Sequence, residues 1–243
     1  MKRMILALLF LALLYGQALA AIAVEDAQGT STNSLDVLTV SITPGTNADR
    51  FLLIKVIGKG GTPIACTVNG SSVCGSAFAF YDNGSASTIR FYKVVGADVP
   101  SGGPYDVVVT LLVGDHWSLF VTAYSGVDGT TPVGTAVQAT GATGGATQDV
   151  SSATGEIVED VIMQNYSAGG GSITATGTQR ATTQTLSGGS YAMGGQTKAG
   201  AAPNVTMNWT CTECASSWYS QAVAIKPASG GGAAPVRHRV IQQ

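Results

Sequence analysis

Beyond residue 20 the chain alternates between short apolar stretches and clusters of Gly, Asn, Asp, Ser and Pro, with a new stretch every ~10 residues. The clearest alternation sets Val205, Met207 and Trp209 against Thr206, Asn208 and Thr210, which gives a strand one core face and one wet face. The pattern predicts strands over 35–42, 50–57, 64–68, 77–81, 88–95, 105–113, 117–124, 133–139, 147–151, 156–164, 172–175, 179–186, 190–194, 205–210 and 217–225. Two of these, 50–57 and 105–113, are nearly continuous apolar runs, the mark of central strands covered on both faces. No stretch after residue 20 keeps a helical period for three turns, and 155–166 is too rich in Val and Ile to favour a helix. The expected fold is all-β: a two-sheet antiparallel β-sandwich in jelly-roll or Greek-key order, with a barrel as the alternative. No internal repeat of convincing period is visible.

The first twenty residues follow a different rule. Met1-Lys2-Arg3 supplies a positive start, Met4 to Tyr15 is apolar, and Ala18-Leu19-Ala20 ends in small residues, the parts of a secretory signal peptide. The apolar run is too short to span a bilayer comfortably, with an uncleaved N-terminal anchor as the alternative reading, and nothing after it is long enough to span. The expected organisation is a signal peptide over 1–20, a β-sandwich domain over 21–227, and a Gly-rich spacer with a short basic-apolar tail over 228–243. The expected location is secreted, periplasmic or extracellular, with no transmembrane segment once the signal is removed. In the tail, the glycines Gly230–Gly232 precede Val236-Arg237-His238-Arg239-Val240-Ile241, either a frayed terminus or a strand offered to a partner.

Composition narrows the partners. Losing Lys2 and Arg3 with the signal takes the net charge from −2 to −4, so no basic stripe remains and nucleic-acid binding is not expected. Only 11% of residues are charged, so Thr, Ser, Asn, Gln and Gly must form the solvent faces. The four cysteines form two close pairs, Cys66 with Cys74 and Cys211 with Cys214. Two local disulfides are the favoured reading in an exported chain, ahead of a zinc site or a redox centre at Cys211-Thr212-Glu213-Cys214.

Catalytic chemistry is hard to find. Glu156, Glu159 and Asp160 form the nearest carboxylate cluster; on a strand Glu156 and Asp160 share a face and Glu159 points away, and a solvated face is the expectation. His116 sits beside Asp115 at a turn, but no G-x-S-x-G elbow nominates a serine. Asp82-Asn83-Gly84 and Asp128-Gly129 read as turns, and no metal-ligand cluster or cofactor motif stands out. Exposed aromatics are the remaining handle, since sugar-binding sandwiches stack pyranose rings on them. Of Trp117, Trp209, Trp218, Tyr81, Tyr166 and Tyr191, most are expected in the core: Trp209 is in phase with Val205 and Met207, and Trp117 opens a strong strand. Tyr166 and Tyr191 flank Gly-rich loops and are the candidate ligand-binding residues.

Two longer stretches carry a resemblance. Tyr124-Ser125-Gly126-Val127-Asp128-Gly129-Thr130-Thr131-Pro132 and Trp218-Tyr219-Ser220-Gln221-Ala222-Val223-Ala224-Ile225-Lys226-Pro227, with Gly194-Gly195-Gln196-Thr197-Lys198-Ala199-Gly200 upstream, resemble a jelly-roll-like β-sandwich module common in bacterial, phage and metagenomic surface or virion-associated proteins. The likeness spans about 35–227 and rests on turns and a closing strand, so it speaks for the fold more than for an activity. The cysteine pairs depart from that pattern, and the signal peptide argues against a virion component. The resulting expectation is an exported, non-catalytic binding or structural surface module for a carbohydrate or cell-surface polymer. The alternatives are a self-associating fibre or coat subunit, and a secreted glycoside-active enzyme with two facing acids.

Overall fold

The computed structural model describes residues 21–229 apart from 33–35, 48, 60–61, 83–86, 113–115, 167–170, 186–190 and 213–215. Residues 1–20, expected to be a signal peptide, most of the expected tail, Asn83, Gly84, Asp115 and Cys214 therefore lie outside the described residues. All fifteen predicted stretches are strands, and a sixteenth, β1 (Ala23–Thr32), precedes them. Its half-exposed sequence, Ala-Val-Glu-Asp-Ala-Gln-Gly-Thr-Ser-Thr, carries no hydrophobic period, and pairing along β8 makes it a strand.

The remaining strands are β2 (Val37–Ile42), β3 (Phe51–Lys59), β4 (Thr62–Val68), β5 (Ala79–Asp82), β6 (Thr88–Val95), β7 (Tyr105–Leu112), β8 (His116–Ser125), β9 (Val137–Gly141), β10 (Thr147–Ser151), β11 (Ile157–Asn165), β12 (Ser172–Ala175), β13 (Thr178–Thr185), β14 (Tyr191–Ala199), β15 (Asn204–Thr212) and β16 (Trp218–Ile225). They form four antiparallel sheets, two of five strands and two of three. The first half of the chain orders its strands β1-β8-β3-β6-β5 and β2-β7-β4; the second half orders them β9-β16-β11-β14-β13 and β10-β15-β12. Adding eight to each strand number of the first half gives the second. Within each half the first strand pairs with the eighth, the second with the seventh and the third with the sixth, the successive wrapping of a jelly roll. The all-β sandwich expectation holds, with four sheets where two were expected.

The chain thus contains an internal repeat of topology that its residues conceal. Residues at matching places differ freely, because a sandwich needs only apolar side chains in the right phase, not particular ones. Trp117 and Trp218, each near the start of its half's closing strand, are the visible trace of the match.

Three hydrophobic layers separate the four sheets. The first packs Leu38, Val40, Val107 and Val109 against Leu52, Ile54, Val56, Leu119 and Val121. In the middle layer Phe51, Leu53, Ile57, Phe120 and Tyr124 of one large sheet meet Val161, Met163, Met193, Val223 and Ile225 of the other. The third packs Val158, Ile162, Ala222 and Trp218 against Val150, Val205, Met207 and Trp209. Both five-stranded sheets are therefore covered on both faces, which explains why β3, β8, β11 and β16 are buried almost end to end. The three-stranded sheets face solvent on one side, and β2 and β15 keep the alternation visible in the sequence. Strand β7, expected to be covered on both faces, is the middle strand of such a sheet and alternates between buried and more exposed positions, so that expectation is corrected. The connection between the halves is tied down: Ala228 N–H donates to Gly126 at 2.8 Å, Asp128 N–H to Lys226 at 3.0 Å, and Lys226 N–H to Pro132 at 2.9 Å.

Candidate functional site

The sequence-nominated residues land in different places. Tyr166 is 6% exposed and packs in the third layer, so the expectation that it is exposed is corrected. Gly171 lacks the Cβ that would collide with the Tyr166 ring, so this glycine makes room for the aromatic group. Burial pushes the Tyr166 hydroxyl up to about 12. Tyr191 is half-buried at the start of β14, where the Lys59 ammonium lies 5.2 Å from its ring and the His116 ring 5.0 Å away. Its ring is already engaged by neighbours from the first half. Trp117 and Trp209 are core, as expected, and Trp218 is core as well.

The carboxylate cluster does not form a solvated face. Glu159 and Asp160 are both fully buried; they alternate on β11, so one points into the middle layer and the other into the third. Glu159 is met from the opposite sheet by the Lys55 ammonium, by the Thr122 hydroxyl at 2.8 Å and by the Tyr124 hydroxyl. Asp160 accepts a hydrogen bond from Trp209 Nε1 at 3.0 Å. Burial raises its carboxyl to about 7, with bonds from Trp209, Gln196 and Gln148 opposing the rise. Glu156 accepts from Ala153 N–H at 2.8 Å and holds a turn. A facing pair of acids in a cleft, as glycoside hydrolysis requires, is not what this cluster provides. Asp128 behaves as expected for a turn: backbone N–H bonds from Thr131 and Thr130 hold its carboxyl below the usual range.

One disulfide is in place, Cys66–Cys74, with its Cα atoms 5.7 Å apart. It closes the turn after β4, where Asn69 takes a left-handed φ of 50° and Gly70 one of 76°. Cys211 is disulfide-bonded as well; the predicted Cys211–Cys214 bridge lies outside the described residues with Cys214. Among the described residues no cluster of His, Cys, Asp and Glu is placed to hold a metal ion, and no helix is long and apolar enough to cross a membrane.

The aromatic surface that sequence reasoning missed is on β5. Phe80 is 58% exposed although it sits inside a strand. Strand β5 is the edge of a five-stranded sheet whose neighbour has only three strands, so no small-sheet strand covers the outward face of Phe80. Directly across the ladder, Arg90 pairs with Phe80 and holds its guanidinium 5.7 Å from the ring. The same guanidinium lies 3.9 Å from Asp82 on the same face. From the second half, Gln138 Nε2 donates to Phe80 O at 2.6 Å. A groove of about 510 Å³ opens here, lined by Phe78 and Phe80 on one side and by Gly134, Thr135, Ala136 and Gln138 on the other. Lys93 lies 5.4 Å from the Phe78 ring. Phe80 and the Gln138 carboxamide thus border a groove where the two sandwiches meet, while Arg90 and Asp82 flank the exposed ring on the outer face of the β5-β6 ladder.

Fold and groove together define a tandem jelly-roll β protein with an aromatic-polar cleft at the seam of its halves. Comparison with protein-family models and with curated proteins finds no match.

Proposed function

We propose that the chain is an exported, non-catalytic binding module whose ligand is a carbohydrate of a cell surface or extracellular polymer, held in the groove at Phe80. The observation that carries this reading is Phe80 itself: a large aromatic ring kept exposed inside a strand, with Arg90, Asp82 and Gln138 beside it. Apolar sugar faces stack on such rings, and hydroxyls need the donors and acceptors that the other three supply. Export is supported by the signal-like leader and by the Cys66–Cys74 bridge, which suits an oxidising compartment. The resemblance to surface-protein jelly-roll modules points the same way. The test is a glycan-array screen of the mature protein followed by titration of the best ligand. Phe80→Ala should weaken binding about tenfold, the order of one lost ring contact, with an unchanged melting temperature. Undiminished binding by this variant would move the site elsewhere; absence of any glycan binding would end the reading.

A second reading rests on a separate observation. Val37, Ile64 and Leu112 are 46%, 58% and 59% exposed on the outer face of the β2-β7-β4 sheet. Exposed aliphatic groups on an open sheet face favour self-association, as in a fibre or coat subunit. Light scattering of the purified protein, with and without Ile64→Thr, separates this from the monomeric binding module.

A further inference from the structure

Lys55 and Glu159 form a fully buried ion pair between the two sandwiches. Lys55 lies in the middle of β3, between Ile54 and Val56, and its strand neighbours on the same face, Leu53 and Ile57, are middle-layer core. Glu159 occupies the facing sheet on β11, in phase with Val161 and Met163. The two side chains are 1% and 0% exposed. Each strand is the central member of its five-stranded sheet, hydrogen-bonded on both sides, so neither side chain can be carried out to solvent without dismantling a sheet.

Two hydroxyls complete the cluster. Thr122 Oγ1 stands 2.8 Å from both Lys55 Nζ and Glu159 Oε1, bridging them. Tyr124 donates its hydroxyl to the other carboxylate oxygen, Oε2. Burial, with Arg180 adding to it and Asp160 opposing, drives the Lys55 amine well below the usual lysine range, toward the free-base form that can act as a nucleophile. Burial likewise raises the Tyr124 hydroxyl, which keeps its proton and remains a donor. A charged pair enclosed by Phe, Leu, Val and Met costs several kcal/mol of lost hydration; a neutral amide in the same place does not carry that cost.

We propose that Lys55 and Glu159 form a covalent-modification site, condensing into an isopeptide bond between Nζ and Cδ that joins the two sandwiches. The ammonium first passes a proton to Oε1, leaving a free amine and a carboxylic acid. The Nζ lone pair then adds to Cδ while the Tyr124 hydroxyl stabilises the charge developing on Oε2, the work of an oxyanion donor. Thr122 Oγ1, in reach of both groups, relays a proton from Nζ to the departing Oε1. The C–Oε1 bond breaks, an amide remains, and one water molecule leaves. Ammonium plus carboxylate gives amide plus water, so the step balances with no further reactant. Once expelled from an apolar layer the water has no polar pocket to re-enter.

The experiment is intact-mass measurement of the reduced, full-length mature protein, with peptide mapping. The expected result is a mass lower than the sequence by one water, with a branched peptide joining the segments that hold Lys55 and Glu159. In addition, a protease site inserted between Gly129 and Thr130, at an exposed position of the connection, should be cut without separating the halves on a reducing, denaturing gel. Lys55→Arg should restore the sequence mass and let the cut halves separate. A wild-type mass equal to the sequence, or a water loss mapped to other residues, would overturn the proposal even if the variants fail to fold.

Discussion

Replacing Asp160 by Asn isolates the energetic cost of one buried carboxylate. In the folded protein its carboxyl is raised from 3.8 to about 7 because it is buried. Between those two pH values the folded state holds a proton that the unfolded chain has released. Stability contributed by this group is therefore fully present below about pH 4 and is lost as pH rises toward 7; above that it stays at the lower level. At about 1.36 kcal/mol per pH unit, the gap from 3.8 to about 7 corresponds to roughly 4 kcal/mol. Asparagine never ionises. Its carbonyl can still accept from Trp209 Nε1, now 3.0 Å from Oδ2. Asp160→Asn should thus change stability little at pH 4 and raise it by up to roughly 4 kcal/mol at pH 8. Urea unfolding of both proteins, followed by tryptophan fluorescence at each pH from 4 to 8, reads the difference directly and cancels the other titrating groups. A difference that stays flat with pH, or a variant less stable at pH 8, would refute the reasoning and show that the carboxylate is stabilised as an anion.

Other consequences are more local. Cys66→Ser should lower stability by roughly 2–3 kcal/mol, because the Cys66–Cys74 bridge spans a sequence separation of only 8; a loss confined to oxidising conditions in chemical denaturation is the check. Truncation after Ala228 should leave the melting temperature nearly unchanged, since among the described residues Ala228 makes the last backbone bond of the chain, to Gly126. A large fall in calorimetry would mean that the segment beyond packs on the domain.

Much of the fold was legible in the residues. Fifteen of the strands announce themselves by apolar stretches between Gly-, Asn- and Pro-rich turns, and the alternation in β15 told which side chains face inward. Strand β1 left no such mark because its pairing with β8, not its own hydrophobic period, makes it a strand. The topological repeat was invisible for a related reason. Strand order is set by which backbones pair, and many side-chain sets satisfy the same pairing.

The candidate site was less readable. Phe80 looks like any strand aromatic until the sheets are counted: it is exposed because a three-stranded sheet cannot cover a five-stranded one. Tyr166 and Tyr191 looked exposed beside glycines, yet a glycine also makes room for a ring, as Gly171 does. Lys55 did leave a signal in the chain, an ionisable group inside the nearly continuous apolar run 50–57, whereas Glu159 and Asp160 were expected on a solvated face. In β3 that run belongs to a strand covered on both faces, so its charge is buried and in need of a partner; the similar run in β7 lies in a three-stranded sheet and leaves Asp106 exposed. The sequence by itself determined that these strands exist and which way their side chains alternate, because hydrophobic period is a local property. Only the tertiary structure decided which sheet lies opposite which, and so which charge meets which, because that depends on contacts between residues 104 positions apart in the case of Lys55 and Glu159.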